Sequence, residues 1–179
     1  MAVKARDGLD INGFLTVPVG KTGAKLPMVV LPHGGPFGVF GDGSYDIEPQ
    51  LLAAAGHAVL QVNFRGSGNF GRAYRSTGAR QWGGAMQDDL TDATRWAIDQ
   101  GHADPARICI YGASYGGYAA LMGAAKEPSP YKCGAGYVHG TGAAARLSSE
   151  HVRLVQATTS VAWTVCRAVQ ARALSSQNA

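Results

Sequence analysis

Charge is scarce in this sequence. Asp, Glu, Lys and Arg make up 16% of its 179 residues, against roughly 25% in ordinary soluble domains. The formal net charge is +4, and most of it lies after Val138, where Arg146, Arg153, Arg167 and Arg172 face only Glu150. A basic stripe with interleaved aromatics is missing, which excludes a nucleic-acid partner. Cysteine is sparse too. Cys109, Cys133 and Cys166 are odd in number and lack CxxC spacing, so neither a disulfide framework nor a zinc site is expected. Cys109, inside "RICIY", reads as a small core residue. Long apolar runs are absent as well: nothing approaches the roughly 18 residues of a membrane helix. The start, "MAVKARDGLD", lacks the apolar stretch of a secretory leader. The expectation is a cytoplasmic chain with no membrane partner, no metal and no cofactor.

Glycine, by contrast, is plentiful at 25 residues, and hydrophobic residues reach 46%, enough to bury the core of about one domain. "LDINGFLTVP" (9–18), "MVVLPHGG" (28–35), "RICIY" (107–111) and "AGYV" (135–138) read as strands, and "AVLQVNFRGSGNFG" (58–71) as a strand running into a Gly-rich loop. "DIEPQLLAAAGH" (46–57) has the polarity of a short helix, with acids and Pro early and Gly late. "QWGGAMQDDLTDATRWAIDQGH" (81–102) places Met86, Leu90, Ala93 or Thr94, and Ala97 on one face, with Gly101 as its stop. A further helix follows in "SYGGYAALMGAAKEP" (114–128). Apolar strands alternating with helices predict a mainly parallel sheet with helices on both faces. Sites in such sheets collect at the carboxyl ends of the strands, where His33, Arg65, Ser114 and His139 fall.

Gly112-Ala113-Ser114-Tyr115-Gly116 fits G-x-S-x-G between a strand and a helix. A nucleophile elbow needs small residues on either side of a sharply turned serine, and Gly112, Gly116 and Gly117 meet that need. The following helix aims its free N–H groups at the serine, favouring negative charge there. A coincidental Gly/Ser turn is the plainer alternative, and the strand-turn-helix context argues against it. "HGGP" (33–36) follows another strand. The Gly34 and Gly35 loop is therefore expected to form, with the Tyr115 amide, the two halves of an oxyanion hole. His33 itself reads as structural.

At these residues a family resemblance emerges. "LPHGGP", "AVLQVNFRGSGNFGR", "WGGAMQDDLTDATRWAI", "ARICIYGASYGGYAALMG" and "YKCGAGYV", in this order and spacing, resemble the catalytic domain of the prolyl oligopeptidase family of serine peptidases. The similarity is to its acylaminoacyl-peptidase and dipeptidyl-peptidase branches and covers roughly residues 5–138. It implies an α/β-hydrolase fold, Ser114 as nucleophile, oxyanion donors at Tyr115, Gly34 and Gly35, and a short peptide or acyl-peptide as substrate. Arg65, the 66–71 loop, Asp88 and Asp89 match family positions that we read as structural, through ion pairing and loop shaping; lining the substrate cleft is the alternative. The family's β-propeller, which precedes its hydrolase domain, is not expected on this chain, where hydrolase sequence follows Met1 almost at once.

The triad order in this fold is Ser, then Asp or Glu, then His. No Asp follows Asp104, and the tail 139–179 lacks Asp, Lys, Pro, Phe and Tyr. We therefore expect an incomplete α/β-hydrolase domain over 1–138 and a divergent tail over 139–179, from a frameshift or truncation or else a natural short variant. Its one strand-like stretch is "TTSVAWTVCRAV". The catalytic Asp and His are not identified; the candidates left are Glu150 with His139 or His151, since His57 and His102 fall in turns. The reading is a serine peptidase domain of low or no activity, with an inactive remnant or a carboxylesterase on the same fold as alternatives. Oligomeric state is not legible.

Overall fold

The computed structural model describes residues 1–126, 128–137 and 153–156. Its strands are β1 (Ala2–Lys4), β2 (Asp10–Thr16), β3 (Leu26–Pro32), β4 (Ala58–Asn63), β5 (Ala103–Ala113), β6 (Cys133–Tyr137) and β7 (Arg153–Gln156). They form one sheet in the order β1-β2-β4-β3-β5-β6-β7. β1 and β2 run antiparallel to their neighbours, and every other pair is parallel.

Alternation along β3 divides the core. Met28 and Val30 join Leu60, Ile108 and Ile110 on the face covered by α3 (Ala85–Asp99) and α4 (Tyr115–Ala125). Val29 and Leu31 join Val59 and Leu52 of α1 (Ile47–Ala54) on the opposite face. Helices thus lie on both faces, as a buried parallel sheet requires. Within α3 the expected stripe of Met86, Leu90, Ala93, Thr94 and Ala97 is fully buried, and Gly101, at φ 75°, follows its end. The Asp46 carboxylate caps α1 by accepting from the Glu48 amide at 3.1 Å.

α4 is made of small residues because it lies directly on a strand of small residues. A Cβ at Gly134 would come within 2.9 Å of the Ala120 oxygen, and one at Gly136 within 2.9 Å of the Gly117 oxygen. Glycine is required at both places by backbone approach. No helix among the described residues is long and apolar enough to cross a membrane.

Four features depart from expectation. β1 and the helix α2 (Gly71–Thr77) carry no readable signal: β1 has three residues, and α2 has no side-chain cap and a single buried residue, Tyr74. A strand that the sequence did not signal, β7, pairs with β6 from Cys133↔Arg153 to Gly136↔Gln156; the expected strand-like stretch 158–169 lies outside the described residues. Finally, Cys109 and Cys133 are bonded. They face each other as a register pair of β5 and β6, with Cα atoms 4.7 Å apart, inside the range a disulfide needs. Register, not sequence spacing, creates that pair.

Candidate active site

β5 ends at Ala113 and α4 begins at Tyr115, so a single residue makes the corner. Ser114 occupies it at φ 54°, ψ −122°, left-handed backbone that an L-residue adopts only under strain. Its side chain makes no capping bond to the helix and is exposed. Contacts of bare backbone hold the corner. A Cβ at Gly112 would lie 2.7 Å from the Gly116 carbonyl carbon, and a Cβ at Gly116 would fall on the Pro32 oxygen, with the His33 oxygen at 3.3 Å. Gly117, next along α4, is buried. The ends of β5 and β3 and the start of α4 therefore meet with no room for side chains.

That junction brings the β3 loop to the serine. A Cβ at Gly34 would sit 3.6 Å from the Ser114 Cβ and 3.5 Å from the Ala113 oxygen. Gly35 follows at φ 118° and is exposed. On the other side, Tyr115 opens α4, where the first N–H groups of a helix lack intrahelical acceptors; the first helical bond runs from the Tyr118 amide to the Ser114 oxygen at 3.1 Å. The Tyr115 ring is buried against Phe64, Trp82 and Tyr118, with centroids 4.9–5.8 Å away. Burial pushes its phenol pKa up, so the phenol stays protonated and the ring is a packed anchor. A cleft of about 170 Å³ lies beside the corner, lined by His33, Gly34, Asn63, Tyr111, Gly112 and Ala113.

This geometry makes a contrast testable. Gly116→Ala is expected to cost about 3 kcal/mol, the upper end of overpacking, because both clashing atoms are backbone and neither can swing away. Gly34→Ala meets only ordinary contacts and is expected to cost well under 1 kcal/mol. Chemical denaturation of the two variants checks this; equal costs would mean the corner is not packed as described.

His33 is engaged at both ring nitrogens, Nδ1 with the Gly34 oxygen at 2.7 Å and Nε2 with the Ser67 hydroxyl at 2.8 Å. Its ring stacks on Phe64 at 4.3 Å. Burial lowers its pKa. With both nitrogens occupied, it is not a free base for Ser114. His57 and His102 precede β4 and β5 and so lie at the opposite end of the sheet from the serine. His139, Glu150 and His151 lie outside the described residues. Ser67 is a contact that sequence reasoning missed, and 34 residues of separation give it no local signal.

Arg65 is structural, as expected. Its guanidinium donates to Asp89 at 2.9 and 2.7 Å and to Asp7 at 2.7 and 3.1 Å, while its own amide donates to Asp89 at 2.8 Å. Asp88 accepts from Lys126 at 2.8 Å and pairs with Arg6 at 3.3 Å. These ties bind the N-terminal segment and the β4 loop to α3.

Comparison with known proteins bears on the same corner. The model of the prolyl oligopeptidase family matches residues 43–151, a span that includes Ser114. The chain belongs to the prolyl oligopeptidase family of serine peptidases. It is 42% identical over 141 residues to dipeptidyl aminopeptidase BIII of Pseudoxanthomonas mexicana, covering 74% of this chain and 20% of that protein. It is 32% identical over 125 residues to the acylamino-acid-releasing enzyme of Sus scrofa, covering 69% and 17% respectively. A puromycin-hydrolyzing peptidase of Mycobacterium tuberculosis superposes with a TM-score of 0.70 at 31% identity, over 75% of this chain and 21% of that one. The acylaminoacyl peptidase of Pyrococcus horikoshii gives 0.67 at 29%, over 76% and 22%. The fold is the family's α/β-hydrolase fold. The chain spans about a fifth of the length of these relatives.

Proposed function

We propose that this chain carries the nucleophile and oxyanion portion of a serine peptidase site acting on short peptides or acyl-peptides. The observation that supports it best is the exposed, uncapped Ser114 at φ 54° with Gly34 packed beside it. Ser114 Oγ would attack the substrate carbonyl carbon as its proton passes to a base. The Tyr115 amide and the Gly34 and Gly35 loop would hold the oxyanion. The amine would leave with a proton, and water would then release the acyl group from the serine. We assign this catalytic portion to residues 1–138. The remaining candidates for base and acid are His139 or His151 with Glu150. The named activities of the relatives, releasing acylamino acids or dipeptides and hydrolysing puromycin, support a small amide substrate.

A fluorophosphonate probe tests the reading. It phosphonylates a serine with loss of fluoride only where the hydroxyl is activated. Mass spectrometry is expected to place the adduct on Ser114, and competition with an acyl-peptide is expected to slow its formation. A folded chain with no adduct would instead support the inactive-remnant reading.

A further inference from the structure

The bond between Cys109 and Cys133 closes a covalent ring around the candidate nucleophile. Its ends are 24 residues apart in sequence. The chain between them runs through the end of β5, the Ser114 corner and the whole of α4 before returning as β6. The serine held at φ 54° thus lies inside the ring.

β6 has few side chains of its own to hold it. From 133 to 136 it reads Cys-Gly-Ala-Gly. Toward α4 it presents Gly134 and Gly136, where the Ala120 and Gly117 oxygens approach the bare backbone. Cys133 and Ala135 group with Cys109, Tyr111 and Leu31 in the apolar cluster of the opposite face. A strand with so few methylenes gains little from burial. The last large buried side chain before it is Tyr131. Beyond that point its position rests on the backbone ladders to β5 and β7 and on the disulfide.

That position matters at the corner. Gly112 and Ala113, which lead into Ser114, pair with Gly136 and Tyr137, and α4 rests on Gly134 and Gly136. Displacing β6 therefore removes both the lateral partner of the elbow strand and the seat of the helix after the serine. Both redox states fit the packing. Cys109 and Cys133 are 3% and 8% exposed among apolar neighbours, where a free thiol behaves as a small hydrophobe. Reduction removes the tie without placing a charge in the core.

We propose that Cys109 and Cys133 form a redox site that controls the Ser114 corner. Oxidised, the pair locks β6 and the seat of α4; reduced, it lets β6 part from β5 and the corner relax. The reaction is exchange with a dithiol. A thiolate of the reductant attacks one sulfur and expels the other, and the reductant's second thiolate then attacks the mixed disulfide and frees the remaining cysteine. Each cysteine leaves as a thiolate and takes up a proton; two electrons pass to the pair, and the reductant ends as a disulfide. Because both sulfurs are buried, exchange waits on local opening of β6. The effect on catalysis rests on the reading of Ser114 given above.

The test uses the full chain carrying Cys166→Ser, so that only the pair can exchange. After equilibration with oxidised glutathione, mass spectrometry is expected to show the cross-link between 109 and 133; its failure to form would overturn the proposal. Dithiothreitol is then expected to slow fluorophosphonate labelling at Ser114 about 10- to 100-fold at a temperature where both forms are folded, since a misplacement of about 1 Å costs up to that much. The unfolding temperature should fall by about 5–15 °C. Amide exchange should rise across α4 and β6, and reoxidation should restore all three. The double variant Cys109→Ala with Cys133→Ala should label at the reduced rate with or without dithiothreitol. Equal, measurable labelling in the two states, or a response to dithiothreitol that survives in the double variant, would overturn the proposal as well. If neither form is labelled, it is the assignment of Ser114 that fails, and amide exchange then decides the switch alone.

Discussion

Ser114→Gly is expected to make the protein more stable while ending its chemistry. Ser114 sits at φ 54°, ψ −122°, and a residue with a Cβ held in such a region carries roughly 1–3 kcal/mol of strain. Its hydroxyl makes no capping bond, so removing it sacrifices no cap of α4. Glycine relieves the strain but raises the entropy of the unfolded chain by roughly 0.5–1 kcal/mol. The net gain is about 1 kcal/mol, or roughly 2–4 °C in unfolding temperature for a chain of this size. Ser114→Ala keeps the Cβ, hence the strain, and is expected to unfold where the parent does. Both variants lose the proposed nucleophile, which in a complete serine site costs about 10⁶ in turnover, and neither is expected to form the fluorophosphonate adduct. Calorimetry on the three proteins decides the matter. A glycine variant no more stable than the alanine variant would show that the corner is not strained, and the case for a built nucleophile elbow would weaken with it.

The fold around Ser114 was legible where local sequence determines local shape. The apolar period of α3 placed Met86, Leu90, Ala93, Thr94 and Ala97 on one buried face, because a helix of that length repeats its pattern often enough to be read. The corner at Ser114 was legible because two backbones can approach only where side chains are missing, and Gly112 and Gly116 mark that approach. What escaped depends on tertiary register. Cys109 and Cys133 are opposite one another only because β5 and β6 pair in parallel at that offset. Ser67 meets His33 only because the loop after β4 returns across the end of β3: the Gly68 amide donates to the Val39 oxygen at 2.9 Å, and the Asn63 side chain donates to and accepts from Gly41. The strand β7 has four residues, too few to show alternation. Arg65 was read as an ion-pairing residue, but its two carboxylates stand 58 positions before it and 24 after, a choice made by the fold.

Arg65→Ala is expected to be the most destabilising substitution of a charged residue in the described part of the chain, costing about 3–5 kcal/mol. The Arg65 side chain is 8% exposed and that of Asp89 is fully buried. Removing the guanidinium leaves the carboxylate with a single donor, the residue 65 amide, and a buried charge deprived of its partner carries a penalty of that size. The Asp7 pair is different. Asp7 is 48% exposed, so Asp7→Ala is expected to cost less than about 1 kcal/mol. The deficit of Arg65→Ala should also depend on pH. Burial already raises the Asp89 pKa against the pull of Arg65. With that pull gone, the folded value moves further above the unfolded one of about 3.9. A carboxyl whose pKa is raised by folding costs stability once it ionises, so the deficit should be largest near neutral pH and shrink as the pH falls toward 5. Adding Asp89→Asn to the variant removes the charge but keeps an acceptor for the amide, and should restore most of the loss. Urea denaturation at pH 5 and pH 7 reads all of these. Equal costs for the Asp7 and Arg65 variants, or a pH-independent deficit, would mean that Asp89 is not held as a buried charge. The loop that Arg65 fixes carries Ser67, which meets His33 at 2.8 Å, so the fluorophosphonate rate at Ser114 should fall with the stability and return with Asp89→Asn.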